Sequence, residues 1–287
     1  MNVQHFYDER TGSLSYIVTE EATKTALVID PVLDFDAASG RVWNASNERM
    51  TKFLEDGSYT VPYVLETHVH ADHFSGAQWF RKRFSAKTVI SAHVCAVQKT
   101  LGPLFNMGKD FPTDGRQFDI LIDDGATLEA GGLSIKVIPT PGHTPASISY
   151  LIGDALFVGD SIFQPDSGTA RCDFPGGSAA ELYDSIQRMY ALPDQTRIFT
   201  LHDYQPGGRE LQFVSTVAEQ KQSNRDLRHD TTKEEFIALR KKLEEGKDAP
   251  RLILPSLQVN LRGGHLPDPE SNGVAYLKIP LNAFGAS

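Results

Sequence analysis

Short runs of β-branched and apolar residues alternate along the chain with stretches of helical spacing, a pattern that predicts an α/β fold. Ser13–Val18 and Ala26–Ile29 read as two strands joined by the charged turn Glu20–Lys24. Asp30-Pro31 halts that pattern, a polar region follows, and a helix is expected around Glu48–Glu55. Val61–Glu66 is a strand that ends abruptly in Thr67-His68-Val69-His70-Ala71-Asp72-His73. Helix-like spacing covers Phe74–Phe84, and Thr88–Ser91 is another buried strand. Further strands are expected at Leu133–Ile138, Ser147–Ile152, Ala155–Val158 and Arg197–Leu201. Between the last two lies a helix over Ser178–Ala191, with Glu181 and Asp184 in early turns where negative charge suits the helix dipole. After about Gly208 the pattern changes. Glu210–Asp226 and Lys233–Glu245 predict helices, and a Pro- and Gly-rich tail is expected to wrap over the body. The expected division is one α/β unit over residues 1–208 and a helical cap with tail over 209–287.

Composition narrows the function classes. The 287 residues are 40% hydrophobic and 23% charged, which suits a soluble globular protein with a sizeable core. Lys and Arg number 28 against 37 Asp and Glu, a net charge of −9, so nonspecific nucleic-acid binding is not expected. A small anionic ligand remains compatible, provided local cations outvote the global charge. The two cysteines, Cys95 and Cys172, form no C-x-x-C motif, which excludes a disulfide framework, a Cys-based zinc finger and a thioredoxin-type site. Met1–Thr11 carries Asp8 and Glu9 and no apolar run, so no secretory signal is expected there. No stretch approaches the roughly 20 apolar residues of a membrane span, and a cytoplasmic location is expected.

The chemistry concentrates at H-x-H-x-D-H, residues His68, His70, Asp72 and His73. Imidazole and carboxylate are the ligand set for zinc or iron, and a turn at a strand end lets such closely spaced side chains converge. A merely polar turn would not need four ionisable groups in six residues. Three more groups fall at similar places: His143 in Thr-Pro-Gly-His-Thr-Pro, Asp160 after Val158-Gly159, and His202 after Thr200-Leu201. In α/β sheets, ligands gather at the carboxyl ends of strands. Singly, each has a plainer reading, as turn residue, helix cap or core imidazole; together with the first motif they make a full metal centre.

With these motifs in this order, the chain resembles the metallo-β-lactamase superfamily. The finer similarity is to persulfide dioxygenases, bacterial branch, and to their hydrolytic relative glyoxalase II. It rests on ETHVHADHFSG, Gly159-Asp160-Ser161-Ile162-Phe163, GTARCDFPGG at residues 168–177, LHDYQPGGRE at residues 201–210, and the tail LPSLQVN…NGVAYLKIPLN. The resemblance implies an αβ/βα sandwich with a metal site at one edge between two sheets. It further implies one Fe(II) per chain held by His68, His143 and Asp160, the two-imidazole, one-carboxylate set of non-heme iron oxygenases. Three protein ligands on an octahedral ion leave three positions for other partners, and iron, unlike zinc, has redox chemistry to offer.

The implied reaction joins glutathione persulfide and O₂ to give sulfite and glutathione, in sulfide detoxification. His70, Asp72, His73 and His202 then orient the ligands and bound water through hydrogen bonds. The same four side chains could instead hold a second metal, which keeps a glyoxalase II-like binuclear thioester hydrolase open. A non-catalytic metal- or sulfide-responsive binding protein is a third reading, less suited to a complete ligand set with open positions. Arg171 and Tyr204 match positions of the family's glutathione pocket; the plainer alternatives are an Arg paired with Asp173 and a Tyr packed under the cap. Arg225 and Arg228 of the cap could also meet glutathione's carboxylates. Cys172 reads either as an oxidisable thiolate beside Arg171 or, more simply, as a small filler in a tight loop. The family further suggests a homo-oligomer, dimer or higher.

Overall fold

Strands whose side chains alternate between two buried faces build two six-stranded sheets, with a third sheet of three short strands, and the computed structural model describes residues 1–282. The chain begins with β1 (Asn2–Asp8), β2 (Ser13–Glu20), β3 (Thr25–Ile29), β4 (Val32–Asp36), β5 (Arg41–Trp43) and α1 (Ala45–Asp56). It continues through β6 (Thr60–Leu65), β7 (Phe74–Ser75), α2 (Ala77–Phe84), β8 (Lys87–Ser91), α3 (Val94–Leu101) and β9 (Ile120–Ile122). The second half holds β10 (Thr127–Ala130), β11 (Leu133–Pro139), β12 (Ile148–Ile152), β13 (Ala155–Phe157), α4 (Ala179–Tyr190), β14 (Arg197–Phe199) and β15 (Val214–Thr216). Three helices follow: α5 (Val217–Ser223), α6 (Lys233–Glu244) and α7 (Ile253–Asn260).

The first sheet has the order β1-β2-β3-β6-β8-β9 and the second β10-β11-β12-β13-β14-β15. Their inner faces meet in one core: Leu14, Tyr16, Leu27, Ile29 and Leu65 from the first against Ile135, Val137, Tyr150, Phe157 and Phe199 from the second. The residues between these face outward under helices. Ile17, Val28 and Val64 pack with Met50, Leu54 and Phe80 of α1 and α2. Leu156 and Ile198 pack with Leu182 and Ile186 of α4 and Phe236 of α6. Helix, sheet, sheet, helix is therefore the layer order, the expected αβ/βα sandwich. Each large apolar side chain buried in this way contributes about 1.5–3 kcal/mol. Two hydroxyls tie the sheets together across the core: Tyr16 donates to the Thr200 carbonyl at 2.5 Å and Tyr150 to the Glu66 carbonyl at 3.0 Å.

The structure departs from the expected elements at informative places. β1, an edge strand of intermediate burial that sequence reading did not single out, lacks the nearly continuous burial of β2. The helix expected over Glu210–Asp226 is instead β15, paired with β14, followed by the short α5. Thr216 ends the strand and caps the helix, accepting the Glu219 N–H while Glu219 reaches back to the Thr216 N–H. Within the expected tail lies α7, whose Ile253 and Leu257 are buried beside Val94, Phe105 and Phe118. None of the described helices is long and apolar enough to cross a membrane.

Candidate metal centre

Parallel pairing brings the carboxyl ends of β3 and β6, and of β13 and β14, to one edge of the sandwich. Asp30 follows β3, Glu66–His73 follow β6, Asp160 follows β13 and His202 follows β14. His143 reaches the same edge from the loop between β11 and β12. Two glycines permit this crowding. Gly159 has φ +52°, and a Cβ there would sit 2.6 Å from Thr67 Oγ1. At Gly142 (φ +141°) a Cβ would lie 2.4 Å from the Leu182 main chain of α4. Neither position tolerates a side chain.

His68, His143 and Asp160 each present one ligand atom, all within 4.8 Å of one another. Asp160 Oδ2 lies 3.8 Å from His68 Nε2 and 3.6 Å from His143 Nε2. The far nitrogens are engaged. His143 Nδ1 donates to the Arg171 carbonyl at 2.8 Å. Thr67 Oγ1 donates to Asp30 Oδ2 at 2.8 Å, so at 3.0 Å it accepts from His68 Nδ1. Both rings thereby turn a bare Nε2 inward, the tautomer a metal ligand needs. His68 Nε2 is buried and lacks a hydrogen-bond partner. Such an orphaned nitrogen is costly unless a cation satisfies it, so the residues present fit a metal ion.

A second group, Asp72, Asp160 and His202, shares the Asp160 carboxylate. His202 Nε2 lies 3.1 Å from Asp72 Oδ2 and 3.2 Å from Asp160 Oδ1, while its Nδ1 faces the Gly12 carbonyl at 3.2 Å. Burial opposes the His202 charge, but Asp160 and Asp72 outweigh it and raise its pKa to about 9. Burial would likewise raise the Asp160 carboxyl; His202, then His68 and His143, hold it well below the usual range.

His70 has a different environment. Its Nε2 sits 3.0 Å from Asp30 Oδ1 and 2.9 Å from Glu66 Oε2, with all three groups buried. Asp30 also accepts the Thr67 N–H at 2.8 Å, and Glu66 Oε1 accepts the Ser75 hydroxyl. Burial opposes a charged His70, yet Asp30 and Glu66 push its pKa well above that of an ordinary imidazole. Asp30 and Glu66 escape sequence reasoning, because a residue ending one strand says nothing of what it meets from another. His73 also lies near, its Nδ1 3.4 Å from Asp72 Oδ1 and 3.4 Å from Ser13 Oγ.

A cavity of about 440 Å³ opens over Asp72, His143 and Asp160, and Arg171, Tyr204, Arg225 and Lys247 are among its walls. Arg171 lines it with a committed guanidinium, 2.6 Å from both Asp173 oxygens and 2.7 Å from the Asp248 carbonyl. Tyr204 is 62% exposed and stacks on His202 at 5.4 Å. Arg225 pairs with Asp226; Arg228 pairs with Asp230 and is not among the lining residues. Lys247, which sequence reasoning did not single out, forms no ion pair among the described residues. Cys172 is buried, and burial followed by Glu244 pushes its thiol up to about 12, which suits filler and not a reactive thiolate.

Residues 8–202 match the family model described as the metallo-beta-lactamase superfamily. A relative from Burkholderia pseudomallei, named a "probable metallo-hydrolase", is 46% identical over 99% of this chain and 100% of its own. The "beta-lactamase hydrolase-like protein" of Xylella fastidiosa is 49% identical over 98% of this chain, which spans only 65% of that protein. The human mitochondrial persulfide dioxygenase ETHE1 is 26% identical over 91% of this chain and 88% of its own. Among solved structures, ETHE1 from Myxococcus xanthus aligns with a TM-score of 0.74 and 31% identity, covering 92% of this chain and 100% of that one.

Proposed function

The chain belongs to the metallo-beta-lactamase superfamily of metal-dependent enzymes, and from that premise we propose that it is an Fe(II)-dependent persulfide dioxygenase. The reaction is glutathione persulfide plus O₂ plus water to glutathione, sulfite and two protons. His70 Nε2 is held by Asp30 and Glu66, and its unpartnered Nδ1 groups with Asp72 and His73. The observation that carries this reading is the separate convergence of His68, His143 and Asp160, two imidazoles and one carboxylate. That is the ligand set of mononuclear iron oxygenases, which keep positions open for reactants. Likeness to the ETHE1 structure over its full length supports the reading.

Iron(II) bound by these three residues would supply the electron density that activates O₂. The chain's own groups do the rest. Arg171 fixes the His143 ring through its carbonyl, and Asp30 fixes the His68 ring through Thr67. His202 holds a proton between Asp72 and Asp160 and so keeps both carboxylates ionised at the cavity wall. Phe163 and Phe174 line the cavity and give the persulfide sulfur an apolar seat, while Lys247 and Arg225 offer positive charge to glutathione's carboxylates. Placing both reactants in one cavity makes their encounter intramolecular.

The test is elemental analysis of anaerobically purified protein, followed by an oxygen-electrode assay on glutathione persulfide. The expected result is one iron per chain, O₂ uptake and sulfite release. Iron-loaded protein that consumes no O₂ overturns the reading. A second reading, a glyoxalase II-like thioester hydrolase with two metals, is favoured by the Asp72, Asp160 and His202 group, which shares a carboxylate with the first. The hydrolase names of the Burkholderia and Xylella relatives point the same way. Two ions per chain and cleavage of a hydroxyacylglutathione thioester would establish it.

A further inference from the structure

The loop that carries Asp72 and His73 has no strand ladder to fix it between Glu66 and His73. It is held from the opposite end of the chain. Asn260, the last residue of α7 and 3% exposed, reaches it across 185–190 residues. The Asn260 amide donates to the His70 carbonyl at 2.8 Å and to the His73 carbonyl at 2.7 Å. Its Oδ1 accepts the Ser75 N–H at 2.8 Å. One carboxamide thus brackets the segment with two donors and one acceptor, and no other uncharged side chain of its length supplies both. Each main-chain group it satisfies is buried and would be costly to leave unpaired.

We propose that Asn260 is a positioning residue of the metal centre: it sets the main chain on either side of Asp72 and thereby aims the Asp72 and His73 side chains. The metal centre then extends beyond residues 8–202, the span matched by the family model, because its loop is shaped by α7. The inference rests on metal binding at the site described above and not on any particular reaction.

A built-in control lies two residues earlier. Gln258 is also 3% exposed, but it clips the tail: its Nε2 donates to the Leu254 and Lys278 carbonyls and its Oε1 accepts the Lys278 N–H, all at 2.8 Å. Loss of Gln258 frees the tail from α7 and leaves all three Asn260 contacts in place.

The experiment uses the full chain stripped of metal and titrated with Co(II), followed by visible absorption, with folding checked by circular dichroism. Asn260→Ala is expected to weaken Co(II) binding by about 10- to 100-fold and to shift the absorption bands. Asn260→Asp keeps the size but sets oxygen against two carbonyls, and is expected to weaken binding similarly. Gln258→Ala is expected to melt at a lower temperature yet bind Co(II) as tightly as the parent. The proposal is overturned if folded Asn260 variants bind like the parent, or if Gln258→Ala weakens binding equally. It also falls if neither Asn260 variant folds while Gln258→Ala does, since Asn260 is then structural. A parent chain that binds no Co(II) would refute the metal site itself, a separate outcome.

Discussion

His68 and His70 stand two residues apart at the end of one strand, both essentially buried, and the fold treats them in opposite ways. His68 offers a bare Nε2 to the cluster because Thr67, itself tied to Asp30, occupies its other nitrogen. Burial and then the neighbouring His70 keep it neutral, its pKa well below the ordinary value. His70 has its Nε2 taken by Asp30 and Glu66 and is held charged. Both are histidines of one motif; the partners of their rings decide which nitrogen each leaves unpartnered, Nε2 in His68 and Nδ1 in His70. A single carboxylate, Asp30, serves both outcomes, its Oδ2 accepting the Thr67 hydroxyl and its Oδ1 meeting His70 Nε2.

The sharpest way to break this comparison is to remove each imidazole in turn. His68→Ala and His143→Ala should lose bound metal and O₂ uptake together. His70→Ala should retain metal with an affinity within about tenfold of the parent. Elemental analysis after gel filtration reads both results, and complete metal loss in His70→Ala would erase the distinction. Next in size is Asp30→Asn, which leaves a buried imidazolium short of a partner. It should destabilise the metal-free protein by about 3–5 kcal/mol in urea unfolding. Glu66→Gln, which can still accept hydrogen bonds, should cost less, about 1–3 kcal/mol.

Acidity probes the same contrast. Between the ordinary imidazole value of 6.5 and about 9, folded His202 holds a proton that the unfolded chain has released. Stability of the metal-free protein therefore falls as pH rises through that window, and His70, also raised, acts in the same direction. His68 works the other way: below 6.5 the unfolded chain takes up a proton that the folded one refuses, so stability falls toward acid. The urea midpoint should peak near pH 6.5, and His202→Gln should flatten the alkaline limb. An alkaline limb unchanged in that variant would show that His202 is not charged in the fold. The smallest expected effect is at the cavity mouth. Lys247→Ala should raise KM for glutathione persulfide about two- to fivefold with kcat unchanged, as for the loss of one exposed charge contact.

Much of this was legible in the sequence. Runs of β-branched and apolar residues placed β2, β3, β6, β11 and β12, and polar residues at strand ends pointed to the edge where they converge. The clamp on His70 was not legible. Asp30 reads only as a stop before Pro31, and Glu66 as the last residue of a strand; their meeting depends on parallel pairing between β3 and β6. Residues 210–226 misled because a β-branched strand and a capped helix abut at Thr216, and together they mimic one helical stretch. Asn260 was invisible for a related reason: its three partners lie at least 185 residues away.

The most direct test is a crystal structure of anaerobically prepared protein, with anomalous diffraction measured at the iron edge. The account predicts one iron bound by His68, His143 and Asp160, with His70 Nε2 still between Asp30 and Glu66. Two metal ions per chain, or His70 Nδ1 bound to a metal, would contradict it.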